Sequence, residues 1–199
     1  RQHAEVGPEV HGLEQMTRDH VLEAGAGVLD RYRTLLERID EAARAVSAPQ
    51  SAGPCGGCRA CCGPLSLLPL EACALLATGL LDDRPPGESA CPLLDEGGCR
   101  AGDARPFACR ARGLPARHLD ADGDWSTETC GFIGGGGRAL DAVAPLAEWA
   151  AQLFHLDREF RGCTGLPAGR VALDELCRSP GRYRALRAFA AGLPFASRA

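Results

Sequence analysis

The sequence predicts a mainly α-helical fold, a single small domain whose helices pack around an irregular cysteine-rich metal-binding core. Three observations point there. Apolar residues recur with helical spacing towards both ends of the chain, four thiols crowd into the eight residues CGGCRACC from Cys55 to Cys62, and the middle is punctuated by Gly and Pro with no sustained period. At 199 residues and 45% hydrophobic, the chain suffices for one domain with its own core, whereas two would be cramped. The expected division is a polar N-terminal segment over 1–16 and one domain over 17–199, with the metal-binding core at 54–137.

The first helix is expected from Thr17 to Val46, because Leu22, Ala26, Leu29, Tyr32, Leu36, Ile39, Ala43 and Val46 alternate steps of three and four. Gly25 and Gly27 each weaken it by about 1 kcal/mol relative to Ala, which predicts a break or kink in its first half. SAPQSAGP, over Ser47 to Pro54, ends it. A second helix is expected from Pro69 to Leu81, with Pro at its first turn. Asp95-Glu96-Gly97-Gly98 signals a turn, Ala104 to Arg110 a helical turn, and Leu114 to Leu119 with Trp125 to Thr127 two extended pieces joined at Asp120 to Gly123. Beyond the hinge-like string Gly134 to Gly137, period returns from Leu140 to about Arg161 with Pro145 in the first turn. The last helix starts at Ser179-Pro180 and stops at Gly192.

Net charge is −4 and no run of five like charges occurs, which argues against a nucleic-acid groove and a polybasic membrane patch. No apolar run approaches the roughly 20 residues of a bilayer span, and the first twenty residues lack the apolar centre of a secretion signal. The expectation is a cytoplasmic protein without a nucleic-acid or membrane partner. In that compartment eleven cysteines argue for metal or redox chemistry rather than for disulfide staples, and the odd count fits bridges poorly.

Cys55, Cys58 and Cys61 are spaced C-x2-C-x2-C, which lets three sulfurs converge on one centre. Bacterial ferredoxins use the same triplet, closed by a cysteine followed by proline, and Cys91-Pro92 is such a pair after a long insertion. A zinc ribbon would show a second C-x2-C knuckle, and the later cysteines come singly at Cys91, Cys99, Cys109 and Cys130. Adjacent side chains point in different directions. Either one of Cys61 and Cys62 is a spare or redox thiol, or the eight cysteines divide between two centres. Cys73, Cys163 and Cys177 read as core thiols, since free cysteine packs as a small hydrophobe.

These blocks resemble the YkgJ-type cysteine-cluster proteins, a zinc- or iron-chelating family named for its CxxCxxCC signature. The resemblance covers about Pro54 to Gly137 and rests on CGGCRACC at Cys55 to Cys62, CPLLDEGGC at Cys91 to Cys99, RPFACR at Arg105 to Arg110 and CGFIGGGG at Cys130 to Gly137. It implies eight metal-ligating cysteines: Cys55, Cys58, Cys61, Cys62, Cys91, Cys99, Cys109 and Cys130. A related branch, the flagellin lysine N-methylases, shares the pattern and is associated with an iron–sulfur cluster and methyl transfer from S-adenosylmethionine.

Four thiolates around a [4Fe–4S] core or Zn2+ leave a net charge of about −2, which requires donors nearby. Arg59, Arg100, Arg105, Arg110 and Arg112 are spaced among the cysteines, and Arg105 and Arg110 are the candidates to hydrogen-bond cluster sulfur or an anionic ligand. The expected cofactor is an iron–sulfur cluster of the [4Fe–4S] type, with zinc as the alternative. The expected function is redox or group-transfer chemistry, as an oxidoreductase or a methyltransferase. The alternatives are a zinc-stabilised adaptor whose helices bind a protein or peptide partner, and a metal carrier. No Ser-His-Asp set, HExxH helix or nucleotide loop supports other chemistry.

Overall fold

The computed structural model describes residues 8–46, 62–81, 91–95, 98–112, 114, 116–119, 122, 125–128 and 144–193. The described part is mainly helical. Helix α1 runs Pro8–Val46, and the short strand β1 at Ser66–Leu67 leads into α2 at Pro69–Leu76. Strands β2 (Leu94–Asp95) and β3 (Gly98–Cys99) form a small hairpin. A 3-10 turn at Gly102–Ala104 and the single-turn helix α3 at Phe107–Ala111 follow. Strands β4 (Ala116–Leu119) and β5 (Trp125–Glu128) pair antiparallel, Ala116 opposite Glu128 and Leu119 opposite Trp125. Helix α4 spans Leu146–Thr164, β6 Val171–Ala172 and α5 Leu173–Arg178. A 3-10 turn at Pro180–Tyr183 opens onto α6 at Arg184–Ala191.

Helix α1 packs along α4, α2 lies against α4 and α6, and α3 sits on α1. The stripe read from the α1 sequence is the face that is buried: Leu29, Tyr32, Leu36, Ile39 and Ala43 all join the core, together with Val28 and Leu35. They meet Leu153, Leu156 and Phe160 of α4, Leu70 and Leu75 of α2, and Leu173 and Leu176 of α5 within one apolar cluster. Strands β1 and β6, far apart in sequence, pair Ser66 with Ala172 and Leu67 with Val171, which fastens the start of α2 to the start of α5.

Four expectations need correction. Helix α1 begins at Pro8 rather than Thr17, so the polar N-terminal segment over 1–16 is partly helical. It runs without a break through Gly25 and Gly27, because Gly25 is buried against another helix and tertiary packing outweighs local propensity. Helix α2 stops at Leu76 rather than Leu81: Thr78 Oγ1 donates to the Leu75 carbonyl at 2.7 Å, and Gly79 takes a left-handed φ of 71°. The last helix is a 3-10 turn followed by an α-helix, and α5 before it was not anticipated. Pro145 immediately precedes α4, and the glycine string Gly134 to Gly137 lies outside the described residues. No described helix is long and apolar enough to cross a membrane.

Candidate metal centre

Of the eight cysteines singled out in the sequence, Cys62, Cys91, Cys99 and Cys109 fall in the described residues; Cys55, Cys58, Cys61 and Cys130 lie outside them. The four described ones come from three separate stretches. Cys62 precedes β1, Cys91 precedes β2, Cys99 ends β3 opposite Leu94, and Cys109 sits in α3. The hairpin is held by Leu94 N–H donating to the Cys91 carbonyl at 3.0 Å and Arg100 N–H donating to the Leu93 carbonyl at 2.8 Å. Asp95 Oδ1 accepts from the Gly98 amide at 3.1 Å, a side-chain lock on its turn. Gly98 itself has a φ of 123°, a backbone only glycine adopts without strain.

None of the four is in a disulfide, and Cys99, Cys91 and Cys62 lie within electrostatic reach of Cys109. Burial, then the neighbouring Cys99 and Cys91, and less strongly Cys62, push its thiol up to about 12, with Arg112 opposing them. Thiols that disfavour one another's ionisation in this way are the donors a soft cation recruits, because the cation reverses the sign of that repulsion. Among the described residues, no three His, Cys, Asp or Glu side chains are gathered tightly enough to hold a metal on their own. The cysteine-rich metal-binding core is therefore not displayed by the described part. Thiols are the donor type a thiophilic metal or cluster takes, and Cys62, Cys91, Cys99 and Cys109 are the candidates among the described residues.

Both arginines expected to face a cluster have other partners. Arg110 is almost fully buried, at 4% exposure, and its donors are committed elsewhere: its guanidinium makes an ion pair with Asp40 of α1 and donates to the Asp103 carbonyl, while its Nε donates to the Arg105 carbonyl at 2.8 Å. It braces the 103–110 segment against α1. Arg105 Nε donates to the Gly102 carbonyl at 3.0 Å in the same segment. The cation that acts on the Cys109 thiol is instead Arg112.

Sequence reasoning missed the polar groups beneath α3. Glu71, 4% exposed in α2, accepts from the Leu68 amide at 3.0 Å through Oε2 and from the Phe107 amide at 3.1 Å through Oε1. Tyr32 of α1 lies beside it. Burial pushes its hydroxyl well up, Glu71 adds to this, and the Phe107 amide and Arg110 oppose it. The one signal available was that Glu71 is the only charged residue between Pro69 and Leu81. A lone carboxylate in an apolar helix has to find donors. On the Arg110 side of α3 a cleft of about 520 Å3 opens, with Tyr32, Leu36 and the alanines Ala74, Ala77 and Ala104 as apolar surface and both carboxylates (Glu37, Asp40, Asp103) and arginines (Arg33, Arg110) among its polar groups.

Of the cysteines read as core thiols, Cys73 is fully buried, its thiol pushed up to about 12 by burial alone, and Cys163 donates to the Phe160 carbonyl at 3.2 Å. Cys177 is half-buried and lies within electrostatic reach of Cys91 and Arg100. The side chain of His118, on β4, lies outside the described residues. Comparison with family models, with curated proteins and with solved structures returned no match.

Proposed function

We propose that the chain is a cysteine-ligated metalloprotein that binds an iron–sulfur cluster and serves redox or group-transfer chemistry. The reading is supported by Cys62, Cys91 and Cys99 lying within electrostatic reach of the half-buried Cys109 thiol, with none of the four in a disulfide. The C-x2-C-x2-C triplet at Cys55, Cys58 and Cys61 and the single Cys130 bring the set to eight thiols, enough for one four-thiolate centre with spare thiols or for two centres. When bound, such a cluster supplies one-electron transfer or a Lewis-acidic iron. The chain's own part is to collect the sulfurs, to shield them on the α1 side, and to offer the cleft beside α3 as the place for a substrate, its apolar floor taking a hydrocarbon portion and its carboxylates taking hydrogen-bond donors.

Zinc is the second reading, favoured by the small described core between Cys91 and Leu114, where two-residue strands and single-turn helices gain little stability of their own. Here the helices would present a binding surface to a protein partner. Anaerobic purification followed by elemental analysis and a visible spectrum separates the readings. Brown protein with matched iron and acid-labile sulfide supports the cluster. Colourless protein with zinc in whole-number stoichiometry overturns it in favour of the adaptor. Metal lost to a mild chelator without unfolding points to a carrier.

A further inference from the structure

We propose that Glu71 is the positioning residue for Cys109; the inference rests on reading Cys109 as a metal ligand and adds what holds that thiol in place. Helix α3 has five residues, far fewer than the roughly 12–15 at which an isolated helix becomes stable, so its position is set by anchors outside it. At its start the Phe107 amide donates to Glu71 Oε1 at 3.1 Å; towards its end Arg110 is tied to Asp40 and to the carbonyls of Asp103 and Arg105. Cys109 lies between these anchors. With a helical rise of 1.5 Å per residue its backbone is about 3 Å along the helix axis from that of Phe107. A shift at the first anchor therefore reaches the thiol nearly undiminished, and metal–sulfur distances tolerate only about 0.2 Å.

The choice of a carboxylate at position 71 supports the assignment. Burying one is costly unless both oxygens are hydrogen-bonded. Capping α2 uses only Oε2, on the Leu68 amide; Oε1 is committed to α3. Glutamine has one acceptor oxygen and an NH2 in place of the other, so it cannot keep both contacts as the two Glu71 oxygens make them.

The test is peptide-resolved alkylation of the reduced, metal-free full chain by iodoacetamide, comparing wild type with Glu71→Gln and Glu71→Ala. Cys73, fully buried on the same helix, reports whether the core has opened. Loss of the acceptor for the Phe107 amide is expected to raise Cys109 labelling at least about ten-fold in Glu71→Ala, which removes both oxygens, with a smaller rise in Glu71→Gln, which keeps one, while Cys73 stays protected. An unchanged Cys109 rate, or Cys73 labelling that rises in step in both variants, overturns the proposal. A cobalt(II) titration of the same proteins adds a metal readout: sulfur-to-cobalt charge-transfer absorbance is expected to be weaker in Glu71→Gln than in wild type, and equal absorbance overturns the proposal. A wild-type chain that takes up no cobalt counts against the metal reading, and the alkylation result then decides the role of Glu71 by itself.

Discussion

The ring of Phe189 occupies the space that a side chain at Gly25 would need: a methyl group built on Gly25 meets Phe189 Cζ at 2.5 Å. The ring is held there by an edge-to-face contact with Phe160, centroids 5.5 Å apart and planes at 86°, so it has little freedom to withdraw. The glycine that threatens α1 locally is the one that lets α6 dock on it.

The two glycines of α1 should therefore respond oppositely to alanine. Gly27→Ala, with nothing within 4 Å of the new methyl, gains about 1 kcal/mol from helix propensity. Gly25→Ala should lose about 1–3 kcal/mol through overpacking despite the same propensity gain. Denaturant midpoints of the two variants check this, and equal stabilisation by both would contradict the placement of Phe189.

Removing the partner of the buried Arg110 guanidinium should be costly. Asp40→Asn is expected to destabilise by about 3 kcal/mol, the low end for a broken buried pair because Asp40 keeps 20% exposure. Adding Arg110→Met, which removes the stranded charge, should recover part of the loss in a double-mutant cycle. Independent, additive effects in urea unfolding would show that the two side chains do not meet.

Asp157 ties α4 to the start of α2, accepting from the Leu70 amide at 3.1 Å and from Arg161 Nε at 2.8 Å while 3% exposed. The N-cap residue Leu68 has no side-chain acceptor, so Asp157 supplies the cap from another helix. Asp157→Ala should cost about 2 kcal/mol, and Asp157→Asn less, because the amide oxygen keeps the contact with Leu70. Thermal unfolding of the two variants orders these costs; an Asn variant as unstable as the Ala variant would contradict the cap.

Glu71 makes stability depend on pH. Burial raises its pKa above the ordinary 4.5, only partly offset by the Leu68 and Phe107 amides. A carboxyl raised on folding binds its proton more readily in the folded state, so its contribution is most favourable below 4.5 and is lost as pH rises through the folded value. The stability of wild type relative to Glu71→Gln should therefore fall as pH increases across that window and level off above it. Denaturation midpoints over a pH series measure the difference; a difference that grows with pH would contradict the burial argument.

Much of this architecture was legible because long periodic segments announce the face they bury. The stripe from Leu29 to Ala43 in α1, the antiparallel pairing of β4 with β5, and the proline before α4 all behave as their local chemistry dictates. What was not legible depends on distant partners. Continuity of α1 through Gly25 requires Phe189, and the pairing of Ser66 with Ala172 joins strands too short to show alternation. Helix α5 was missed for the same reason, its six residues giving only Leu173, Leu176 and Cys177 as a helical signature. At the candidate centre the cysteines were countable in the sequence, but the roles of Tyr32, Asp40 and Glu71 exist only in relation to Phe107 and Arg110. Arg110 read as a cluster donor because it adjoins Cys109 in sequence; the turn of α3 carries its side chain to α1 instead.

X-ray absorption at the metal edge of the anaerobically purified chain tests the central claim most directly. The account predicts a bound metal with a shell of sulfur ligands, at about 2.3 Å for zinc or iron. A shell of nitrogen and oxygen, or protein that carries no metal and instead joins Cys62, Cys91, Cys99 and Cys109 in disulfides, would contradict it.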